Sequence, residues 1–260
     1  MNQHTADTTK RAKLYVILGS HACRTAMLTL DHKGISYDVV TVPSGLHPLA
    51  VRLAGFSSGE NRKIDERPHR MLALADHLGT VPALRLDGER VETNRNISRL
   101  LDRVQPEPAL FPEDPAARER VEEIELWGDE VLQMGARRLI LGATPGGHVI
   151  GDGADGRLGP LLFHNDHVRR ASARLFGFTF AVGDVSEATL LANAREMLDR
   201  VDAWIEEGLL NGDELNAADF MVAPSVALLS YHTALAPEID ERPVAQLLDR
   251  VLPLPLALRA

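Results

Sequence analysis

The first hundred residues alternate short apolar runs with amphipathic stretches in an order that few folds accommodate. A compact apolar run, Lys13 to Leu18, precedes a helical pattern from Ser20 to about Lys33, and a second apolar run follows at Tyr37 to Val42. Apolar runs of this length are typical of buried strands, and the apolar stripe between them is typical of an amphipathic helix. The order therefore predicts a βαβ unit with a right-handed crossover.

A second group of strand patterns follows a less regular stretch, in which the polar segment 57–68 predicts a surface loop. Residues 83–86 and 89–92 form two short strand patterns around Asp87-Gly88, a dipeptide that favours a tight hairpin. The apolar residues that follow recur at helical spacing up to Val104. The amino-terminal part is thus predicted to be β-α-β, a helical link and β-β-α.

The second half of the chain contains no convincing strand pattern. The segment Gln105 to Glu113 contains three prolines and predicts a linker. Beyond it, helical spacing recurs after Asp114, Ser186 and Asn216, each of which is a good helix cap, and a glycine-rich segment lies at 142–160. We therefore predict a mixed α/β domain followed by an all-α helical bundle.

Composition and charge exclude several classes of function. The chain of 260 residues is 45% hydrophobic, enough for a substantial core, and carries a net charge of −9. The acidic balance argues against a nucleic-acid backbone or an anionic membrane as a partner, because both require a basic face. No apolar stretch approaches the roughly 18 residues of a membrane span, and no secretory signal is recognisable, so we expect a cytoplasmic protein.

The chain contains a single cysteine, Cys23. One cysteine excludes a disulfide framework, a cysteine-based zinc site and intramolecular dithiol chemistry, and it fits a reducing compartment. His164 and His167 are three residues apart, but no third ligand accompanies them, so no metal is expected.

The turn Ser20-His21-Ala22-Cys23 lies where the first strand passes into the first helix. Free amides at a helix start and the positive end of its dipole stabilise a thiolate, and a thiol pKa lowered by about two units corresponds to roughly 2.7 kcal/mol. Ser-x-x-Cys is the Cys-x-x-Cys redox pattern with the first thiol replaced by a hydroxyl, which leaves a thiolate-binding geometry without dithiol chemistry. Two structural alternatives stay open: Ser20 as a simple cap and Cys23 as a packed core residue.

The dipeptide Val81-Pro82 opens the third predicted strand. A cis proline here would turn the preceding backbone outward, so that Val81 could pair with a peptide-like ligand. The alternative is an ordinary trans proline at the start of a strand.

The dipeptide Glu92-Thr93 ends the fourth strand pattern and opens the next helix. The hydroxyl and backbone amide at a helix start would take a carboxylate, and Glu92 could take an ammonium group. Together they fit an amino-acid-like end of a ligand. The alternative is a helix cap beside a solvated acid.

These patterns together resemble those of the glutathione S-transferase family. The stretch Ser20 to Ile35 resembles the family's first helix, which usually begins with Ser, Tyr or Cys and ends in Lys-Gly-Ile. Gly79 to Leu101 resembles its cis-proline, hairpin and Glu-Ser segment, and Asn216 to Phe220 resembles its helical-domain capping box. The resemblance implies a thioredoxin-like thiol-binding domain at 13–104, an all-helical substrate-binding domain at 113–260, and a site between them.

The same resemblance implies a transferase that conjugates a small thiol co-substrate, glutathione or an analogue such as mycothiol, to an apolar electrophile. Ser20 falls at the position of the catalytic hydroxyl or thiol. Val81 falls at the backbone contact to the cysteinyl part, and Glu92 and Thr93 fall at the γ-glutamyl contact. The family usually pairs, which implies a homodimer. The predicted catalytic residues are Ser20 and Cys23, and the predicted substrate-binding residues are His21, Ala22, Arg24, Thr80, Val81, Pro82, Glu92 and Thr93.

The sequence departs from the family pattern at Thr93, which replaces the usual Ser, and in a longer stretch around 57–68. The family binds the glycyl end of glutathione near that stretch, so the departure bears on which thiol is used. Two other hypotheses stay open. Cys23 could act as a single redox thiol that forms a mixed disulfide, or the chain could be a binding protein that keeps the fold without the chemistry.

Overall fold

The computed structural model describes residues 12–56, 79–142, 156–158, 177, 180 and 182–253. A four-stranded sheet in the order β2-β1-β3-β4 is formed by β1 (Ala12–Val16), β2 (Tyr37–Thr41), β3 (Ala83–Leu86) and β4 (Glu89–Glu92). β1 is parallel to β2 and antiparallel to β3, which is antiparallel to β4. Among the described residues, three helices accompany the sheet: α1 (His21–His32), α2 (His47–Leu53) and α3 (Asn94–Val104). The predicted thioredoxin-like domain is confirmed.

Local sequence explains where these elements turn and end. Asp87 and Gly88 both have positive φ, 51° and 93°, which is the geometry of the type I′ hairpin that this dipeptide favours. Gly34 follows α1 with a φ of 64°, a conformation that glycine adopts without a steric penalty. The buried stripe of α1 includes Cys23, Ala26 and Leu30, and it faces the core.

The rest of the described chain is helical. A long rod at 115–142 consists of α4 (Pro115–Trp127) and α5 (Gln133–Arg137), each followed by a π-helical turn, Gly128–Leu132 and Arg138–Gly142. The further helices are α6 (Glu187–Glu206), α7 (Ala217–Leu229), α8 (Ala236–Asp240) and α9 (Val244–Val251). Every residue of α7 is buried, and α7 packs against α1 and α4. The helical prediction is confirmed, although the sequence indicated neither the π-helical turns nor the short α8.

Lys33 connects the end of α1 to the linker between the α/β part and the helical part of the chain by hydrogen bonds. Its buried ammonium group donates to the Asp102 carboxylate at 2.9 Å and to the carbonyls of Gln105, Pro106 and Pro108 at 2.7, 3.1 and 2.5 Å. A buried charge without partners would cost several kcal/mol. The four acceptors remove that cost and hold the linker against the first domain.

Some predicted features lie outside the described residues, namely the loop 57–68, most of the segment 142–160, and the pair His164 and His167. In the described part of the chain, no helix combines the length and the apolar character that a membrane crossing needs. Among the same residues, no group of three or more His, Cys, Asp or Glu side chains is placed to hold a metal ion.

Candidate functional site

The pairing register brings the three predicted turns to one edge of the sheet. Tyr15 of β1 pairs with Ala83 of β3, and Ala83 in turn pairs with Glu92 of β4. The end of β1, the start of β3 and the end of β4 therefore lie side by side. The turns at these three strand ends contain Ser20, Val81-Pro82 and Thr93 respectively.

Hydrogen bonds join the second and third turns. The Thr93 amide donates to the Pro82 carbonyl at 3.1 Å, and the Thr80 amide donates to the Glu92 carboxylate at 2.9 Å. The Val81–Pro82 peptide bond is cis, the first of the two alternatives that the sequence left open. Because Glu92 already holds the backbone at Thr80, an ammonium group would have to share its carboxylate.

Ser20 caps α1 in an extended conformation, with φ −84° and ψ 118°. Its hydroxyl oxygen accepts a long hydrogen bond of 3.4 Å from the Cys23 amide. The side chain also hydrogen bonds to the Cys23 thiol, a contact that acts to lower the pKa of Cys23. Ser20 thus spans the amide-rich end of the helix and remains partly exposed.

The structure places Cys23, one of the two predicted catalytic residues, in the core. The side chain is 1% exposed and packs among buried apolar residues. Burial raises the pKa of the Cys23 thiol and outweighs the hydrogen bonds from Ser20 and Ile17 and the charge of Arg137. A buried thiol with a raised pKa is a poor nucleophile, so the geometry favours the packed-core alternative over a catalytic role.

His21 and Ala22 are likewise interior residues rather than exposed contacts. Both are 3% exposed, whereas Arg24 lies on the surface. Burial, followed by the charge of Arg137, holds the pKa of His21 well below its ordinary value, and a hydrogen bond to the Gln133 backbone opposes this shift. His21 therefore joins the start of α1 to α5 as a neutral ring.

Arg137 is a site residue that sequence reasoning missed. It belongs to α5, yet its positive charge acts on both His21 and Cys23 at the start of α1. Gln133, one turn earlier on the same helix, meets the His21 ring. No local pattern could indicate this pairing, because it joins residues more than a hundred positions apart. The helical half thus adds a positive charge that acts on two residues at the start of α1.

Thr93 caps α3 in a conformation that is unusual for its residue type. Its φ is 72° and its ψ is 145°, a region that β-branched residues rarely occupy. Its hydroxyl oxygen accepts from the Asn96 amide at 3.5 Å. Strained backbone of this kind is concentrated at functional sites, so the strain at Thr93 makes the start of α3 a candidate for a functional role.

The described helices differ in whether an acidic side chain lies at their amino-terminal end. A carboxylate lies at the start of α4 (Asp114), of α6 (Glu187) and of α7 (Asp219). By contrast, α1 and α3 are capped by Ser20 and Thr93 and have no acidic residue in the first turn. In the described part of the chain, the two side-chain-capped helices without a carboxylate at their start are therefore the two at the shared sheet edge, where an external anion would be favoured.

A buried polar cluster lies behind the start of α3. Glu125 of α4 is fully buried and pairs with Arg99, while Arg95 lies 3.9 Å away from the same carboxylate oxygen. Burial raises the pKa of Glu125 to about 7, and its second oxygen has no hydrogen-bond partner among the described residues. The sequence could have indicated that Glu125 is buried, because it lies beside Val121 and Ile124 on the inward stripe of α4.

Comparison with known proteins supports the fold. Residues 14–109 match the family model described as glutathione S-transferase, N-terminal domain. No curated protein matches the chain in sequence.

Several solved structures are similar over most of the chain. A glutathione S-transferase of Ceriporiopsis subvermispora in complex with glutathione has a TM-score of 0.59 at 16% identity, covering 94% of this chain and 99% of that one. A glutathione S-transferase-like protein of Pseudomonas syringae has a TM-score of 0.56 at 19% identity, covering 93% of this chain, which spans only 66% of that protein's length. The theta-class glutathione S-transferase of Xanthomonas axonopodis pv. citri with glutathione bound has a TM-score of 0.52 at 18% identity, covering 94% and 98%. At such identities the likeness concerns the fold.

Proposed function

We propose that this chain belongs to the glutathione S-transferase-like family, binds a small thiol at the shared sheet edge and conjugates it to an apolar electrophile. The thiol would be held by the domain at 13–104 and the electrophile by the domain at 113–260. Glutathione is the first candidate, because the structures similar to this one include glutathione complexes, and mycothiol is the second. A cytoplasmic homodimer is part of the same proposal.

The observation that carries the proposal is the pair of helix starts, α1 and α3, that face one edge and have no acidic residue at the cap or in the first turn. A sulfur anion at the start of α1 would meet free amides, the helix dipole and the charge of Arg137. A carboxylate of the same ligand would lie at the start of α3. The two anionic groups of a cysteine-containing peptide fit two such ends.

Ser20 is the proposed catalytic hydroxyl. In the free protein it contacts Cys23, whose neutral thiol is a weak acceptor. A ligand thiolate is a much stronger acceptor, so the hydroxyl would turn and donate to it. The thiol loses its proton to solvent, the sulfur forms a bond to the electrophilic carbon, and the leaving group departs with the electron pair of the broken bond.

Replacement of Ser20 by Ala tests this role in the conjugation of glutathione to a reactive aryl halide. A hydrogen bond to a charged group contributes roughly 1.5–3 kcal/mol, so S20A should lower kcat/KM by about 10- to 150-fold. Ser186→Ala is the matched control, because Ser186 also caps a helix, with the Thr189 amide at 3.2 Å, but belongs to α6. Equal rates for S20A and the unmodified chain would remove Ser20 from the mechanism.

Native mass spectrometry after incubation with glutathione and with mycothiol reports both the preferred thiol and the number of copies. Binding of one thiol per chain in a two-chain species is the expected result. Binding of neither thiol to a well-folded protein would contradict the proposal. Alkylation addresses the redox alternative, since a buried Cys23 should resist iodoacetamide until the chain is denatured.

A further inference from the structure

Two neighbouring arginines, Arg137 and Arg138, point to different sides of the rod at 115–142. Gln133 and Arg137 are one turn apart on α5, so they lie on the same face of that helix. The Gln133 backbone hydrogen bonds to the His21 ring, which shows that this face is turned towards the start of α1. Arg138 points elsewhere, because its Nε donates to the Phe180 carbonyl at 2.8 Å.

The Cys23 thiol reports the charge that a second sulfur would experience beside it. The charge of Arg137 acts on that thiol in the direction that favours its anion, and the thiol also hydrogen bonds to Ser20. Two hydrogen bonds that share one atom place their outer atoms at most about 7 Å apart, so a ligand sulfur held by the Ser20 hydroxyl would lie close to the Cys23 sulfur. Burial keeps Cys23 neutral in spite of Arg137, whereas a sulfur on the exposed side of Ser20 would not carry the same burial cost.

The charged and titratable groups that face the start of α1 leave the effect of Arg137 in place. His21 is held neutral by burial. Arg24 is exposed, and its charge acts on Tyr37 at the start of β2, the end of that strand far from the shared edge. The Glu92 carboxylate would oppose an anion, but it belongs to the third turn and hydrogen bonds to the backbone of the second.

The elements packed against α5 add no net charge on the side of α1. Glu196 and Arg200 of α6 have opposite charges and line the side of α5 that faces α6. On α7 the charged residue is Asp219, which accepts from two backbone amides at the start of that helix. Asp129, in the π-helical turn before α5, acts on the carboxyl group of Glu125.

We propose that Arg137 is an electrostatic partner of the ligand thiolate, so that the helical half completes the thiol site; this inference rests on the proposed function. The Ser20 hydroxyl would donate to the sulfur from the first domain, and the guanidinium, which is protonated at any working pH, would stabilise the charge from the second. The S–H bond of the ligand breaks, its proton leaves to solvent, and the electron pair stays on the sulfur. Activation of the thiol therefore needs α5 in place beside α1.

The test is the pKa of the glutathione thiol bound to the full chain, or of the mycothiol thiol if that is the one bound, read from the ultraviolet absorbance of the thiolate as the pH is raised. The thiol should titrate below its ordinary value in the unmodified chain. Arg137→Gln should raise the pKa of the bound thiol by about one unit, which means about 10-fold less thiolate at any pH below both values. Arg137→Lys, which keeps the charge, should hold that pKa within about half a unit of the unmodified chain. The acid limb of the pH profile of kcat/KM should move in the same way.

Arg138→Gln is the matched control, because it removes the neighbouring charge that is directed to Phe180, and it should shift the pKa of the bound thiol by at most about 0.3 unit. The S-methyl derivative of the thiol cannot ionise, so its affinity should be the same for Arg137→Gln and the unmodified chain. A purely structural role of Arg137 would weaken binding of this derivative as well. Circular dichroism establishes that each variant is folded, and Arg137→Lys keeps the test decisive if Arg137→Gln is not.

Several results would overturn this inference and leave the proposed function standing. They are an unshifted pKa in R137Q, an equal shift in R138Q, weaker binding of the S-methyl derivative to R137Q, and a pKa in R137K that rises by about one unit or more. Failure of the unmodified chain to bind either thiol would overturn both.

Discussion

The starts of α1 and α7 have the same layout but different occupants. Each begins with a polar cap, Ser20 or Asn216, and the third helical residue is Cys23 in α1 and Asp219 in α7. Asp219 accepts from the Asn216 and Asn211 amides at 2.8 and 2.7 Å, so the protein's own carboxylate fills the start of α7. The side chain of Cys23 turns into the core and leaves the start of α1 to Ser20.

On the proposed function, this difference would separate a structural helix start from one that binds a ligand. At α7 the amides are satisfied inside the protein, and the helix can lie at the centre of the core with every residue buried. At α1 the amides face the sheet edge, and one of them, that of Cys23, donates a long hydrogen bond of 3.4 Å to the Ser20 hydroxyl oxygen. On the proposed function, the third helical position would decide whether the helix dipole stabilises the fold or an external anion.

The largest effect should come from giving α1 a carboxylate like that of α7. In Ser20→Asp the new charge caps the helix but repels a thiolate at the same place, and two like charges about 4 Å apart repel by roughly 4 kcal/mol near a protein surface. Thiol conjugation should fall about 1,000-fold with little change in the melting temperature. The measurement is kcat/KM beside a thermal melt, and Ser186→Asp is the control at α6. Retained activity in S20D would mean that no anion binds at α1.

The reverse change at α7 should affect stability instead of activity. Asp219→Ala leaves two partly buried amides without their acceptor, which should lower the free energy of unfolding by about 2–4 kcal/mol. Urea unfolding measures this loss. The control is Asp114→Ala, whose cap on α4 is exposed, and which should cost about 1 kcal/mol. An equal loss in both variants would show that burial adds nothing to the α7 cap.

The pH dependence of stability should report Asp219 as well. Burial raises its pKa to about 6 from the ordinary 3.8, despite the two backbone hydrogen bonds. The folded state therefore holds the proton more tightly than the unfolded state, and this group's contribution to stability falls as the pH rises from about 4 to about 6, by roughly 3 kcal/mol at most. Asp219→Asn should flatten that part of the stability curve. An unchanged slope in D219N would place the pKa of Asp219 near its ordinary value.

Sequence patterns predicted the parts of this site that depend on neighbouring residues. The cap at Ser20, the hairpin at Asp87-Gly88 and the capping box at Asn216 each follow from side chains within four positions of one another. The meeting of the three turns at one edge followed from the order of strands and helices, together with the resemblance to a known family.

Residues brought in by tertiary packing could not be predicted in this way. The apolar stripe of α1 left two roles open for Cys23, and only the packing of α1 against the rest of the core, α7 included, decides that it is buried. Arg137 and Glu125 reach the two helix starts from the helical half, through contacts without a short-range pattern. Local spacing thus predicts which groups can cap a helix, whereas burial decides which of them can react.

The smallest expected effect concerns Thr93, the other cap at the shared edge. Its φ of 72° and ψ of 145° suit glycine, and such strain costs about 1–3 kcal/mol. In Thr93→Gly the relief of this backbone strain is offset by the lost cap and by the greater freedom of the unfolded chain, so stability should rise by at most about 1 kcal/mol.

The affinity of Thr93→Gly for the thiol should nevertheless fall, because the hydroxyl that would donate to the ligand's carboxylate is gone. Thr93→Ser, which keeps the hydroxyl, should retain the affinity. Urea unfolding and thiol calorimetry on both variants separate the two effects, and undiminished affinity in T93G would leave α3 with a purely structural start like that of α7.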